Sequence, residues 1–250
     1  MCGRYTLIRL SDFTDMFPWI RPPDSQPPPR FNIAPSQPVA VVPNVADPQV
    51  EFFQWGLIPS WARDPAIGSR LINARLETAT EKPAFRNALR RRRCLIPASG
   101  FYEWKPDPDR KSKTPMYIRS RDGRPFAFAG LWDVWRTPEG QERPTCAILT
   151  GRPNDLVAQI HGRMPVILLP ELYRDWLAPR EVDASRLIER IQPYPAELLE
   201  AYPVSRLVNS PGNDGESLIA PAGGAMEEGR PGGRVVGGQR ARDSNQPGLF

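Results

Sequence analysis

Residues 94 to 104 read Cys-Leu-Ile-Pro-Ala-Ser-Gly-Phe-Tyr-Glu-Trp: an apolar run from Cys94 to Pro97, a break of small residues, and a second run from Phe101 to Trp104. Short apolar or aromatic runs separated by turn-forming residues are the signature of successive strands. The same pattern recurs outward from this stretch at Val39 to Val42, Val50 to Leu57, Met116 to Arg119, Phe126 to Leu131, Thr145 to Thr150 and Val166 to Leu169. Helical spacing is confined to Ser11 to Phe17, with Ser11 as its cap, and to Ala84 to Arg93, Asn154 to Ile160, Glu171 to Leu177 and Ala184 to Ile191. Antiparallel pairing is the natural inference. The expected fold is therefore α+β, a curved or barrel-like, mainly antiparallel sheet with helices at its margins.

The chain has 250 residues, 40% of them hydrophobic, which is enough for a real core. Its 31 prolines include the run from Pro22 to Pro29, which reads as an extended loop. From Gly223 to Phe250 the composition turns Gly-rich and charged, so the folded unit is expected over residues 1–222, with a disordered tail over 223–250. The balance of 33 basic against 28 acidic residues, a net charge of +5 and a pI near 9.4 favour a polyanionic partner. No signal-peptide pattern and no apolar run of spanning length occur, which suggests a soluble cytoplasmic protein without a membrane partner. Three cysteines, at positions 2, 94 and 146, form no Cys-x-x-Cys pair and suit a reducing compartment. With a single histidine in the chain, no zinc cluster can be assembled, and neither metal nor cofactor is expected. Cys94 and Cys146 lie in apolar strands and read as buried thiols.

Cys2 is the most informative position. A small residue after the initiator permits removal of Met1, which would leave an N-terminal cysteine carrying a 1,2-aminothiol. Its amine titrates at about 7.7 to 8.0 and its thiol at about 8.5 when unperturbed, so both are partly nucleophilic near neutrality. An aldehyde is the matched electrophile: the amine condenses to an imine, and the thiol, two bonds away, closes a five-membered thiazolidine.

Cys2 also keeps specific company. Met-Cys-Gly-Arg-Tyr opens the chain, and Phe31-Asn-Ile-Ala-Pro35, Trp55-Gly-Leu-Ile-Pro59 with Trp61, and Leu71-Ile-Asn-Ala-Arg75 with Glu77 follow in order. Cys94-Leu-Ile-Pro97, Gly100-Phe-Tyr-Glu-Trp104, His161-Gly-Arg-Met-Pro165 and Pro203-Val-Ser-Arg206 complete the set. Together, from Met1 to about Ile219, they resemble the SRAP family, named for SOS-response-associated peptidase. The resemblance implies a protein that senses abasic sites in single-stranded DNA and traps the ring-opened sugar aldehyde as a thiazolidine on Cys2. Ring closure by the thiol removes the imine that would otherwise drive strand cleavage, so trapping shields the strand. The enzyme class implied is lyase-like, or hydrolase by the family's name, with self-removal of Met1.

By the same resemblance, Asn73 orients the Cys2 amine, Glu103 is a proton-transfer acid and His161 is the general acid/base near the sugar hydroxyl. The residues support these roles on their own terms. Alternation between Tyr102 and Trp104 would turn Glu103 to the opposite face, where desolvation raises a carboxyl, and an imidazole is the natural proton shuttle near pH 7. Arg4, Arg75 and Arg163 lie within two residues of site positions, where flanking phosphates would sit. Pro35 and Trp61 resemble the family's wedge residues against flanking bases. Trp55, Trp104, Trp132 and Trp176 read as packing residues, and most of Arg90 to Arg93 as solvated charge. Val208 to Asn213 is longer and more polar than the family's short turn, so a late loop is expected to differ.

The chain ends Gln246-Pro-Gly-Leu-Phe250, which resembles the peptide that bacterial proteins insert into the replication sliding clamp, with Gln246, Leu249 and Phe250 as its fixed residues. The protein is expected to act as a monomer, associated with the nucleoid through DNA. Two further readings stand beside the trap: a thiol peptidase built on Cys2, His161 and Glu103 or Asn73, and a non-covalent single-stranded DNA module using its arginines and Trp61.

Overall fold

The computed structural model describes residues 2–108 and 112–223. The expected tail, with Gln246, Leu249 and Phe250, lies outside the described residues from 224 onward. The strands are β1 (Tyr5–Leu7), β2 (Arg30–Ile33), β3 (Pro38–Pro43), β4 (Glu51–Trp55), β5 (Asn73–Arg75), β6 (Arg93–Ala98), β7 (Gly100–Pro106), β8 (Lys113–Ser120), β9 (Phe126–Arg136), β10 (Glu142–Gly151), β11 (Met164–Pro165), β12 (Ile167–Leu168) and β13 (Leu199–Pro203). The helices are short: α1 (Leu10–Met16), α2 (Arg86–Arg91), α3 (Asp155–Ala158), α4 (Tyr173–Trp176) and α5 (Ala184–Glu189).

The small-residue break that suggested two strands has an unexpected outcome, because β6 and β7 do not pair with each other. Strand β6 joins a sheet with β3 on one side and β9 on the other, while β7 lies between β8 and β1 in a five-stranded sheet ordered β13-β8-β7-β1-β2. Ser99 alone carries the chain across, its N–H donating to Thr6 O at 2.8 Å and its hydroxyl accepting from Ile8 N–H at 3.0 Å. The larger sheet closes on itself: β9 pairs with β10, β10 with β4, β4 with β3, β3 with β6, and β6 again with β9. The expected barrel-like sheet is thus a closed five-strand barrel. Its pairings are antiparallel except those of β10 with β4 and β5, which run parallel.

Each expected strand is present with shifted ends, while β1, β2, β5, β11 and β13 carry too few or too polar residues to stand out in the sequence. The Pro22 to Pro29 run forms neither helix nor strand, as expected. Helix α1 starts at Leu10 instead of after Ser11, and Arg9, in the cap position, makes no side-chain cap bond. The interior of the barrel is apolar, with Tyr5 edge-on to Trp55 at 5.5 Å and to Phe128 at 5.7 Å; such pairs contribute about 0.5 to 1.5 kcal/mol each beyond their buried area. A second, smaller core gathers Tyr102, Tyr117, Val204, Val208 and Leu218 with Trp104 against it. Cys94 and Cys146 are free, buried thiols, and Trp55 and Trp176 are buried, as expected.

The arginine run departs from expectation at one residue. Arg90 and Arg91 are exposed and pair with Glu181, and Arg92 pairs with Asp133. Arg93, however, is fully buried and donates to the carbonyls of Leu89, Arg90, Trp176, Ala178 and Arg180 at 2.7 to 3.3 Å. Burial pulls its pKa down to about 10. The reason is local: α2 ends at Arg91, so Arg93 as the first residue of β6 points back at the open carbonyl end of the helix, the end that favours a cation.

Candidate functional site

The site is assembled at the two places where the sheets present strand ends. In the five-stranded sheet Tyr5 pairs with Phe101, and Tyr102 N–H donates to Arg4 O at 3.0 Å. This register carries the segment ahead of β1 along β7 and brings Cys2 to Glu103. In the larger sheet, the last residues of β10 are flanked by β5, with Ile148 opposite Asn73 and Thr150 opposite Arg75, and by β11, with Gly151 opposite Met164. Strand β11 is entered through His161, Gly162 and Arg163, after the short helix α3 that Asn154 caps by accepting from Val157 N–H at 2.9 Å.

Cys2 is completely buried. Asn73 Nδ2 donates to the Cys2 carbonyl at 2.8 Å, bridging the two sheets. Only the amide nitrogen can donate to a carbonyl, so the orientation of the Asn73 side chain is fixed. Its Oδ1 is buried and has no hydrogen-bond partner among the described residues, leaving an acceptor at the centre of the site.

Glu103 is 2% exposed. Strand alternation separates it from Tyr102 and Trp104, which belong to the smaller core, while Phe101 enters the barrel. Burial raises the Glu103 carboxyl above its usual range, and the nearby His161 charge works in the opposite sense. The Cys2 thiol is also pushed up, first by burial and then by the Glu103 charge. Both effects work against the partly ionised thiol expected from the sequence. Desolvation outweighs the favourable chemistry of an N-terminal cysteine.

His161 is half-buried, and its Nδ1 accepts from Arg163 N–H at 3.1 Å. Arg163 forms a bidentate pair with Glu77 and also reaches Thr150 O at 2.6 Å. Arg4 donates to Asn32 Oδ1 at 2.8 Å, Val208 O at 2.7 Å and Asn209 O at 3.2 Å, and burial lowers its pKa. Arg75, by contrast, is exposed with no ion pair among the described residues. Trp61 is 58% exposed on a cleft of about 260 Å³ shared with Arg90, Arg91, Arg92 and Asp133. Pro35 is half-buried and precedes Ser36, whose φ of +71° turns the chain so that its N–H meets Trp55 O at 2.7 Å.

Asn32 and Asp214 were not singled out in the sequence. Asn32, fully buried, donates to Val208, Ser210 and Asn213 carbonyls, and Asp214 accepts from the Phe31 and Asn32 main chain and from Arg30. They secure the polar late loop against β2 and hence against Arg4. An Asn between Phe31 and Ile33, in what the structure shows as β2, was the available signal, because Asn is depleted from strands. Among the described residues, no group of His, Cys, Asp and Glu could hold a metal ion, and no helix is long and apolar enough to cross a membrane.

A closed barrel joined to a second sheet, with Cys2 buried beside Glu103 and its carbonyl bridged to Asn73, gathers a thiol, a carboxyl and an amide where the two sheets meet. The chain belongs to the SOS response associated peptidase (SRAP) family, which it matches over residues 1–211. It is 46% identical over 224 residues to the abasic site processing protein YoqW of Bacillus subtilis (strain 168), covering 88% of this chain and 99% of that protein. It is 32% identical over 240 residues to the abasic site processing protein YedK of Escherichia coli (strain K12), covering 88% of this chain and 100% of that one. A crystal structure of a protein from Bacteroides thetaiotaomicron superposes with a TM-score of 0.78 at 27% identity, covering 88% of this chain and 100% of the other.

Proposed function

We propose that this protein recognises abasic sites in single-stranded DNA and shields them by forming a thiazolidine between the sugar aldehyde and Cys2, once Met1 has been removed. The observation that carries the reading is the buried Cys2, its carbonyl held by Asn73 Nδ2 at 2.8 Å and its thiol beside the buried Glu103. The family and the relatives named for abasic-site processing give the substrate class.

The chemistry follows from the residues. His161 exchanges a proton with the sugar hydroxyl as the ring opens to the aldehyde. The freed Cys2 amine, oriented by the open Asn73 Oδ1, adds to that carbonyl, and Glu103, whose affinity for a proton is raised by burial, serves as the acid that gives a proton to the departing water. The thiol then adds across the resulting imine: sulfur bonds to carbon and its proton passes to nitrogen, closing the ring with no other co-reactant. A thiol that stays neutral until the imine forms is protected from idle oxidation or alkylation. Arg75, exposed and without an ion pair among the described residues, is the natural phosphate contact, and Arg4 and Arg163 line the same site. Trp61 and Pro35 take the flanking bases. Release of Met1 by the protein itself belongs to the same reading, as does a tether in which Gln246, Leu249 and Phe250 engage the sliding clamp.

The test is a denaturing gel with a single-stranded oligonucleotide carrying one abasic site. Wild type yields a shifted band and Cys2→Ala none. Peptide cleavage without a shift would replace the trap with a thiol peptidase, and retention only under native conditions would replace it with a non-covalent binder.

A further inference from the structure

Arg163 does more than line the site. Its guanidinium is almost wholly engaged: Nη1 and Nη2 meet Glu77 Oε1 and Oε2 at 3.1 and 2.9 Å, Nη2 meets Thr150 O at 2.6 Å, and Nε lies 3.4 Å from Thr150 Oγ1. The five N–H donors of the fork leave little for another acceptor. Its main chain, meanwhile, brackets His161. The Arg163 N–H donates to Nδ1 at 3.1 Å, and Arg163 O lies 3.0 Å from the same nitrogen. A main-chain N–H can only donate and a carbonyl can only accept, so the Arg163 main chain meets Nδ1 as a lone-pair nitrogen in the Nε2–H tautomer and as an N–H when it carries a proton. When the ring takes a second proton, Nδ1 gains an N–H for which Arg163 O is in place. The residue whose side chain is clamped by Glu77 therefore supplies the imidazole with a partner in both charge states.

We propose that Glu77 is a positioning residue for proton transfer by His161: by clamping the Arg163 guanidinium against Thr150 it fixes the His161-Gly162-Arg163 turn and holds the imidazole in its Nε2–H tautomer. The catalytic consequence rests on the proposed function, whereas the tautomer is a property of the folded protein. Packing at Gly162 does not restrain the turn, since a Cβ there would meet nothing within 4 Å. The clamp is an ionic one: although burial works to raise Glu77, its hydrogen bonds with Arg163 outweigh this and hold the carboxyl below its usual range. Glu77 itself is a third to a half exposed, with 42% of its side-chain surface accessible, so its replacement is compatible with folding.

The single histidine makes the test direct, because histidine-selective 15N labelling gives one imidazole. In long-range 15N–1H spectra at a pH where the ring is neutral, the wild-type protein is expected to show Nε2–H alone, and Glu77→Gln a mixture of tautomers; Arg163→Lys, which keeps the charge but not the fork, should resemble Glu77→Gln. Single-turnover crosslinking by Glu77→Gln should slow on the order of 10-fold, within the range of about 10²- to 10⁴-fold that general acid–base catalysis supplies, with the half-saturating DNA concentration unchanged. A wild-type tautomer in both variants overturns the proposal. So does tighter DNA binding of Glu77→Gln in a Cys2→Ala background with a steeper salt dependence, since that would mean Glu77 merely withholds Arg163 from phosphate. A tautomer shift in a protein whose wild type forms no adduct would uphold the positioning and sink the trapping reading.

Discussion

Glu103 and Cys2 show how burial sets the character of single groups. A carboxyl almost sealed from water favours its neutral form, which turns an ordinary acid into one that still holds a proton where others have lost it. The same desolvation has a thermodynamic signature. Because the folded-state value of Glu103 lies above its value in the unfolded chain, folding favours the bound proton, and stability is lost as pH rises from the unfolded value through the folded one. Glu103→Gln escapes that loss. It is expected to melt a few degrees above wild type at pH 8 and to lose that advantage below about pH 4.5, near the unfolded carboxyl's own titration, while its adduct forms and reverses more slowly. Equal melting of the two proteins at pH 8 would mean that Glu103 is ionised without penalty.

At the scale of elements, the site depends on strands that the sequence barely signals. Strand β1 has three residues and β5 also three, yet β1 leads Cys2 to Glu103 and β5 opens on Asn73. Strand β1 is held against β7 and β8 by a close approach at Gly100, where an added Cβ would lie 2.4 Å from Tyr117 Oη, itself 2.9 Å from Thr6 Oγ1. Gly100→Ala should therefore push Tyr117 off Thr6 and destabilise the protein by about 1 to 3 kcal/mol, the usual range for overpacking, while Gly162→Ala, facing open space, should stay within about 0.5 kcal/mol of wild type. Urea unfolding of the two variants measures both. An unperturbed Gly100→Ala would show that β1 tolerates displacement from its neighbours. Strands β9 and β10 were legible because each holds an unbroken run of buried residues, from Phe126 to Leu131 and from Thr145 to Thr150. Two-residue β11 and β12 exist only because neighbouring strands accept their hydrogen bonds.

At the scale of the whole molecule, the proposed trapping activity and the proposed clamp contact belong to different parts of the chain. In the proposed reading the folded domain would carry the covalent chemistry, and the Gln246-Pro-Gly-Leu-Phe250 ending would add a separate address on the sliding clamp, joined to it through a Gly-rich stretch of sequence. The two functions are then separable. Deleting residues 246–250 should abolish retention by the clamp in a pull-down and leave crosslinking to an abasic oligonucleotide at the wild-type rate; undiminished clamp retention would refute the tether.

The sequence by itself determined the fold class, through the short apolar runs and their Pro and Gly boundaries, and it marked Cys2, Asn73, Glu103 and His161 through residue types that carry chemistry in an ordered set of motifs. Tertiary structure decided what those groups can do. Arg93 sits within four consecutive arginines, and nothing local distinguishes it, but the end of α2 and the chain near Trp176 close over it with five carbonyls. Cys2 has the pattern of a reactive thiol, and its enclosure between two sheets pushes its pKa up. Arg163 lies two residues from His161 along the chain, and only the fold brings its guanidinium onto Glu77 and Thr150. The physical reason is common to all three: residue type fixes which charges and hydrogen bonds a side chain can offer, whereas solvent access and partners come from segments distant in sequence, and these set the free energy of each charge state.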